Sequence, residues 1–317
     1  MALTFGCGIS QAIYGPSAGP EAVRMLAQRA EALGFHAVWL ADHIVIPRSV
    51  TSAYPYAAGG ASPFDAAQPF YEPLSVLNFL AACTERIRLG MSVLIVPYRE
   101  PVYTAKVLAT IDALSGGRLI VGAGAGWMAE EFAALGLTNY AERGAVTTEY
   151  LRLFKELWTK ETPEFHGKYA RVSGIGFEPK PMQRPHPPIW IGGHSDAALK
   201  RVALVGDGWM PIGLRPPSLL QPAQMGEKIA RLQTLLCDAN RAEGAITISF
   251  SAPILVTKSP ASPRPLMQGS PHEIADDIRC YQALGVQNFN LGLIGSSVNE
   301  QAEAMDQFAR EVVPLIS

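Results

Sequence analysis

Short apolar runs alternate with longer amphipathic stretches along the chain. Eight runs read as strands, at residues 3–8, 37–41, 88–93, 119–124, 188–191, 208–211, 246–255 and 288–293. Several are apolar at consecutive rather than alternate positions, the pattern of parallel strands covered on both faces. Helical patterns lie between them. Gly19-Pro20-Glu21 opens the first, with proline in the first turn and an acid at the positive helix end. Val23, Leu26, Ala30 and Leu33 then share one face, and Gly34 is the stop. Pro101 opens another, ending at Ser115-Gly116-Gly117, and Val146, Tyr150, Leu153 and Leu157 make a third stripe. Ser195-Asp196 begins a fourth, with Leu199, Val202 and Ala203 inward. Ser270 with Glu273 and Ser297 with Glu300 read as capping boxes, followed by Ile274, Ile278 and Tyr281 and by Met305, Phe308 and Val312.

Eight strand–helix units predict an α/β fold: a single (β/α)₈ TIM barrel spanning 1–317. Such barrels typically take about 250 residues. The excess falls in three Pro/Gly-rich stretches, 44–73, 160–187 and 257–269, read as insertions because strand–helix alternation resumes after each. The first follows a strand and is expected over the active-site face. The second contains Phe165-His166-Gly167-Lys168-Tyr169 and is expected to hold a small hairpin. The competing fold is a doubly wound sheet, supported by Gly122, Gly124 and Gly126 after a strand. That spacing is G-x-G-x-G, not the dinucleotide fingerprint, and no clear acid ends a strand about 20 residues later. Close packing of glycines at a barrel mouth is the favoured reading.

Composition narrows the class of function. Of 317 residues, 48 % are hydrophobic and 17 % charged, enough to bury a sizeable core. The formal net charge of −2 gives no footprint for nucleic acid or an acidic membrane surface. No apolar run is long enough to span a bilayer, and the N-terminus lacks the features of a signal peptide. Cys7, Cys83, Cys237 and Cys280 are scattered and the histidines form no paired motif, so neither a disulfide framework nor a metal site is expected, and the cytoplasm is the simplest setting.

In a barrel, functional groups collect where strands end and the following loops begin. The second strand ends in Asp42-His43, an acid and an imidazole able to position a proton or steady a bound ring. The bland alternative is a histidine bonded to a neighbouring loop. The third strand leaves through Ser92-Val93-Leu94-Ile95-Val96, an apolar wall suited to a flat ligand or simply a buried strand. After the fourth, Trp127 either lines the cavity or packs at a tight turn, and Glu130, Glu131 and Arg143 are expected to pair near the rim. The fifth enters Gly192-Gly193-His194-Ser195 and then a helix, an arrangement that suits an anion, with an ordinary N-cap as the alternative. His166, His186 and His272 are read as surface residues.

Together these stations resemble the luciferase-like flavin and deazaflavin oxidoreductases, specifically the branch using coenzyme F420. The carrying stretches are 33–43, ending Ala41-Asp42-His43; 84–94; 101–118, ending Ser115-Gly116-Gly117-Arg118; 121–132, with Gly126-Trp127; 187–195; and 206–211. The resemblance covers 1–215 well and the remainder only by element order. It implies a barrel with a flavin or deazaflavin ring at its mouth and His43 beside the reactive centre. Asp42 and Trp127 would also lie at the cofactor, and Ser92-Val93 would be a bulged pair, joined by a cis peptide, behind the ring. Gly192, Gly193, His194 and Ser195 would hold the cofactor phosphate. Some deazaflavin-dependent sugar-phosphate dehydrogenases carry an acid where this chain has Trp127 and a tryptophan where it has Pro47, so their substrate and general acid are not carried over. The expected activity is hydride transfer between F420 and an organic small-molecule substrate. The alternatives are an FMN-dependent monooxygenase and a non-catalytic flavin-binding protein. The family likeness also implies a homodimer through helices near the second and third strands.

Overall fold

A computed structural model describes residues 3–9, 19–242, 244–258, 262–295 and 297–316. Eight parallel strands close on themselves: β1 (Thr4–Gly8), β2 (Ala37–Leu40), β3 (Arg88–Met91), β4 (Leu119–Gly124), β5 (Ile189–Gly192), β6 (Gly208–Met210), β7 (Thr247–Val256) and β8 (Asn288–Leu293). Each pairs with the next in chain order, β7 pairs with both β6 and β8, and β8 pairs with β1, so no barrel edge is left open. The closed ring excludes the doubly wound alternative. The chain is an eight-stranded TIM barrel.

Around it run α1 (Pro20–Ala32), α2 (Pro73–Cys83), α3 (Pro101–Leu114), the short α4 (Ala129–Ala134), α5 (Arg143–Thr159), α6 (Asp196–Val205), α7 (Pro222–Asp238), α8 (Pro271–Ala283) and α9 (Val298–Gln307). The Ser270–Glu273 capping box forms at α8, and Ser297 accepts the Glu300 N–H at the start of α9. Three of these helices, α2, α4 and α7, have no counterpart in the sequence reading. α2 buries Leu74, Val76, Leu77 and Leu80. α7 is closed by a Gln221–Gln224 capping box, a weaker signal than the Ser/Thr form.

Most of the core lies between strands and helices. A second cluster fills the barrel interior, where Trp39 and Trp190 meet with ring centroids 5.4 Å apart. Gly90 and Gly208 make room for these indoles, since a Cβ at either position would run into one of them. β3 is shorter than the sequence reading. Its ladder stops at Met91 and resumes at Leu94–Ile95, which pairs with Ala123 and Gly124. Between the two pieces lies Ser92–Val93, whose peptide is cis.

The insertion 44–73 follows β2 and lies over the C-terminal barrel face. The insertion 160–187 carries a two-stranded antiparallel hairpin, Phe165–His166 with Arg171–Val172. The insertion 257–269 returns as Gln268–Gly269 beside β7, and its residues 259–261 lie outside the described residues. His186 is not a surface group. It is half-buried against Trp158 with its Nδ1 3.8 Å from Asp207, and burial pushes its pKa down. Among the described residues no helix is long and apolar enough to cross a membrane.

Candidate active site

A cavity of about 500 Å³ opens at the C-terminal ends of the strands, in the size range of small-molecule and cofactor sites. It is lined by Asp42 and His43 after β2, Ser92 and Val93 after β3, Trp127 after β4, and Gly192, Gly193 and Ser195 after β5. His194 is the one sequence-nominated residue absent from this lining. Its Nε2 lies 2.7 Å from the Ser218 hydroxyl.

His43 is 5 % exposed and its Nδ1 lies 2.6 Å from Oε2 of Glu131, which is fully buried. The same oxygen accepts the Tyr98 hydroxyl at 2.9 Å, while Oε1 accepts the backbone N–H groups of Ile44 and Val45 at 2.7 and 3.2 Å. Burial, followed by the negative charge of Glu131, pushes the Tyr98 phenol well above its ordinary range and keeps it a donor. Two amides and a neutral phenol already donate to this carboxylate, so it acts as an acceptor and the His43 proton sits on Nδ1. His43 Nε2 has no hydrogen-bond partner among the described residues and is the nitrogen left to accept one.

Asp42 does not present its carboxylate to the cavity. Both oxygens accept from Arg99 at 2.8 Å, and Oδ2 also takes the Ile95 N–H at 2.8 Å. Burial opposes the charge on Arg99, but the Asp42 and Glu72 carboxylates outweigh it and hold the guanidinium above its ordinary pKa. This knot ties the end of β2 to the resumed third strand. Ser92 accepts a hydrogen bond from Asn290 of β8 at 3.1 Å. The Val93 side chain lies against Gly124 and Gly192, where a Cβ at either glycine would meet its methyl groups.

The far side of the mouth is cationic. Ser195 caps α6 by accepting the Ala198 N–H, and Gly193 turns the chain at φ +84°. Arg143 donates to the Gly126 and Tyr140 carbonyls, and Arg201 to Thr148 and Gly144. Both arginines line the cavity, and neither has a carboxylate partner among the described residues. Burial without such a partner pushes the Arg201 pKa down.

The sequence reading missed Glu131, Tyr98, Arg99 and Arg201, and it expected Glu130, Glu131 and Arg143 to pair near the rim. They separate instead. Glu131 goes under His43, Arg143 to backbone carbonyls, and Glu130 to the insertion, where it accepts from Thr51 N, Thr51 Oγ1 and Ser52 N at 2.8, 2.6 and 3.0 Å. The one available signal was Glu130-Glu131 opening a helix just after a barrel strand.

Residues 4–267 match the model of the luciferase-like monooxygenase family, and the chain belongs to that family. An uncharacterized Mycobacterium tuberculosis protein is 34 % identical over 216 residues, covering 68 % of this chain and 72 % of that one. An FMNH(2)-dependent dimethylsulfone monooxygenase of Pseudomonas putida is 37 % identical over 145 residues, 45 % of this chain and 40 % of that protein. An F420-dependent glucose-6-phosphate dehydrogenase of Amycolatopsis mediterranei is 30 % identical over 195 residues, 61 % of this chain and 53 % of that protein. Among solved structures, the monooxygenase RslO1 of Streptomyces bottropensis superposes with a TM-score of 0.79 at 24 % identity, covering 99 % of this chain and 100 % of that one. The family contains flavin- and F420-dependent members, so this chain is a luciferase-like oxidoreductase or monooxygenase.

Proposed function

We propose that this chain moves a hydride between coenzyme F420 and an organic small-molecule substrate. The observation that carries this reading is the His43–Glu131 pair at the cavity wall. When hydride leaves or reaches a carbon bearing oxygen, a proton must leave or reach that oxygen. A buried imidazole at the cavity wall with its Nδ1 held by Glu131 suits that task.

The residues present fit such a cofactor. Val93, packed over two glycines, gives a smooth apolar backing for a flat ring. Gly192, Gly193 and Ser195 with Arg143 and Arg201 suit an anionic phosphate at the start of α6. F420, when bound, supplies a carbon-centred hydride carrier. The chain's own residues do the rest: Ser92 and Val93 support the ring, the cationic turn holds the phosphate, the insertion excludes water, and His43 holds or receives the substrate's proton.

FMN suits the same cavity, and the dimethylsulfone monooxygenase relative favours it as the second reading. The test is to titrate the purified protein with F420 and with FMN, follow the visible spectrum of each, and then assay turnover. Tight F420 binding with reduction of F420 by an alcohol supports the proposal. FMN binding in preference to F420 replaces it with a flavin monooxygenase, and binding without turnover leaves a carrier.

A further inference from the structure

Besides the cationic turn, a second positive group stands at the mouth. Arg215 lies on the connection from β6 to α7, and its Nη2 is 3.2 Å from the place a Cβ would take at Gly292 of β8. In the ring, only β1 separates β8 from β2, the strand that ends at His43. The connection is tied down. The Leu214 N–H donates to the Leu219 carbonyl at 2.7 Å, and the Arg215 N–H to the Ser218 carbonyl at 3.0 Å. The Ser218 hydroxyl donates to the Ile212 carbonyl at 2.9 Å and lies 2.7 Å from His194 Nε2, so His194 helps to hold this connection. A fixed backbone reduces what is lost when the exposed arginine is ordered on a ligand.

Tyr54 and Tyr56 of the insertion line the cavity, with ring centroids 5.7 Å apart. Burial pushes both phenols up, Tyr56 to about 12, and the positive charge of Arg215 opposes that shift at each, so the guanidinium is near both. At neutral pH both phenols are donors. Neither hydroxyl, and no nitrogen of the Arg215 side chain, has a hydrogen-bond or carboxylate partner among the described residues. Residues 10–18, which lie outside them, contain no Asp or Glu. Three groups of donors, one of them cationic, therefore gather at one part of the rim without an acceptor. A lone exposed arginine holds an anion weakly in water, but phenols beside it add directed bonds. Little opposes an anion there. Asp42 is the one carboxylate in the cavity lining among the described residues, and both its oxygens accept from Arg99. Phe64 stands between this group and the reacting end, with its ring centroid 4.2 Å from His43 and 6.1 Å from Tyr54.

We propose that the substrate carries an anionic group, a carboxylate or a phosphate, held by Arg215, Tyr54 and Tyr56 at the rim, on the far side of Phe64 from His43. This site is separate from Arg143 and Arg201, which stand with the Gly192–Ser195 turn. The inference rests on the function proposed above in one respect, that His43 marks the reacting end of the substrate.

The test is a binding comparison by calorimetry on the full chain, with no turnover required. The probes are 4′-acetylbiphenyl-4-carboxylate, the corresponding 4-phosphate ester, and the uncharged 4-carboxamide. At least one anion is expected to bind about tenfold tighter than the carboxamide, and the tighter of the two names the anion. In Arg215→Gln that advantage is expected to shrink to about twofold, with carboxamide binding, cofactor binding and circular dichroism unchanged. Arg215→Lys is expected to keep most of it, and Tyr56→Phe, which removes only a hydroxyl, to lose about threefold for the anions alone. An advantage that survives in Arg215→Gln overturns the proposal and places the anion at Arg143 and Arg201. Cofactor binding weakened by Arg215→Gln overturns it and gives Arg215 to the cofactor. Equal binding of anion and carboxamide by the natural chain, or binding of none of the three, also overturns it. Failure of the cofactor reading shows separately, as absence of a spectral change with F420, and leaves the comparison of anion with carboxamide readable.

Discussion

At the scale of single residues, the centre of the site is Glu131. Its side chain accepts four hydrogen bonds, from His43, Tyr98, Ile44 and Val45, while fully buried. Glu131→Gln turns one acceptor oxygen into a donor facing donors, and each buried group left without a partner costs about 1–3 kcal/mol. The urea midpoint is expected to fall accordingly. The nitrogen chemical shifts of the His43 ring are expected to change as Nδ1 loses its fixed acceptor, which a purely structural role would leave untouched. His43→Ala is expected to lower turnover by about 10²–10⁴-fold with little change in cofactor affinity. Steady-state kinetics at saturating cofactor check this, and unchanged turnover would make His43 a structural residue.

Elements position these residues, and two connections matter most. The first is the turn from β5 into α6. Gly193 sits at φ +84°, a conformation β-branched side chains rarely adopt. Gly193→Val is expected to weaken binding of the whole cofactor more than binding of a phosphate-free ring fragment, as read by titration of each. Equal losses would mean that the turn shapes the ring pocket instead. The second is the Glu130 staple. The Thr51 hydroxyl, with help from Ser52, holds the Glu130 carboxyl down at about 2 against an ordinary value of 4.5. A depressed carboxyl pKa means the staple is fully present above the ordinary value and is lost as pH falls through about 2. Protection of the residue 51 and 52 amides, taken against their intrinsic exchange rates, is expected to fall as pH drops from the ordinary value through about 2, ahead of protection in the barrel strands. In Glu130→Gln that protection is expected to be low already at neutral pH and to change little with pH.

For the molecule as a whole, the parallel ring is closed, but an apolar hollow remains on its outer surface between α1 and α2. Pro20, Val23, Tyr71, Val76 and Phe79 line it, and Phe79 is 38 % exposed. A homodimer through helices near the second and third strands is an expectation from the family resemblance, and this face is the contact it would use. Sedimentation should show a dimer for the natural chain and a monomer for Phe79→Glu. A monomeric natural chain would discard that expectation.

Local rules made much of this protein legible in the sequence. Short apolar runs marked the positions of all eight strands, several of them without alternation, because a parallel strand buried on both faces needs none. Gly19-Pro20, Ser195, and Ser270 with Glu273 marked helix starts, because capping is decided by neighbours within one turn. His43 and the Gly192–Ser195 turn stood out for the same reason, since strand ends of a barrel all face one side. α2, α4 and α7 carried weaker local signals and went unread. What no local rule reaches is partnership across the fold. Glu131 lies 88 positions from His43, Arg99 lies 57 from Asp42, and Arg201 comes from a helix after a different strand than Arg143. Nothing in the spacing of Glu130 and Glu131 says which of the two goes under the histidine and which to the insertion. The closed barrel decides that, because curling eight strands into a ring brings the ends of β2 and β4, one strand apart, to the same mouth and points adjacent carboxylates at different walls.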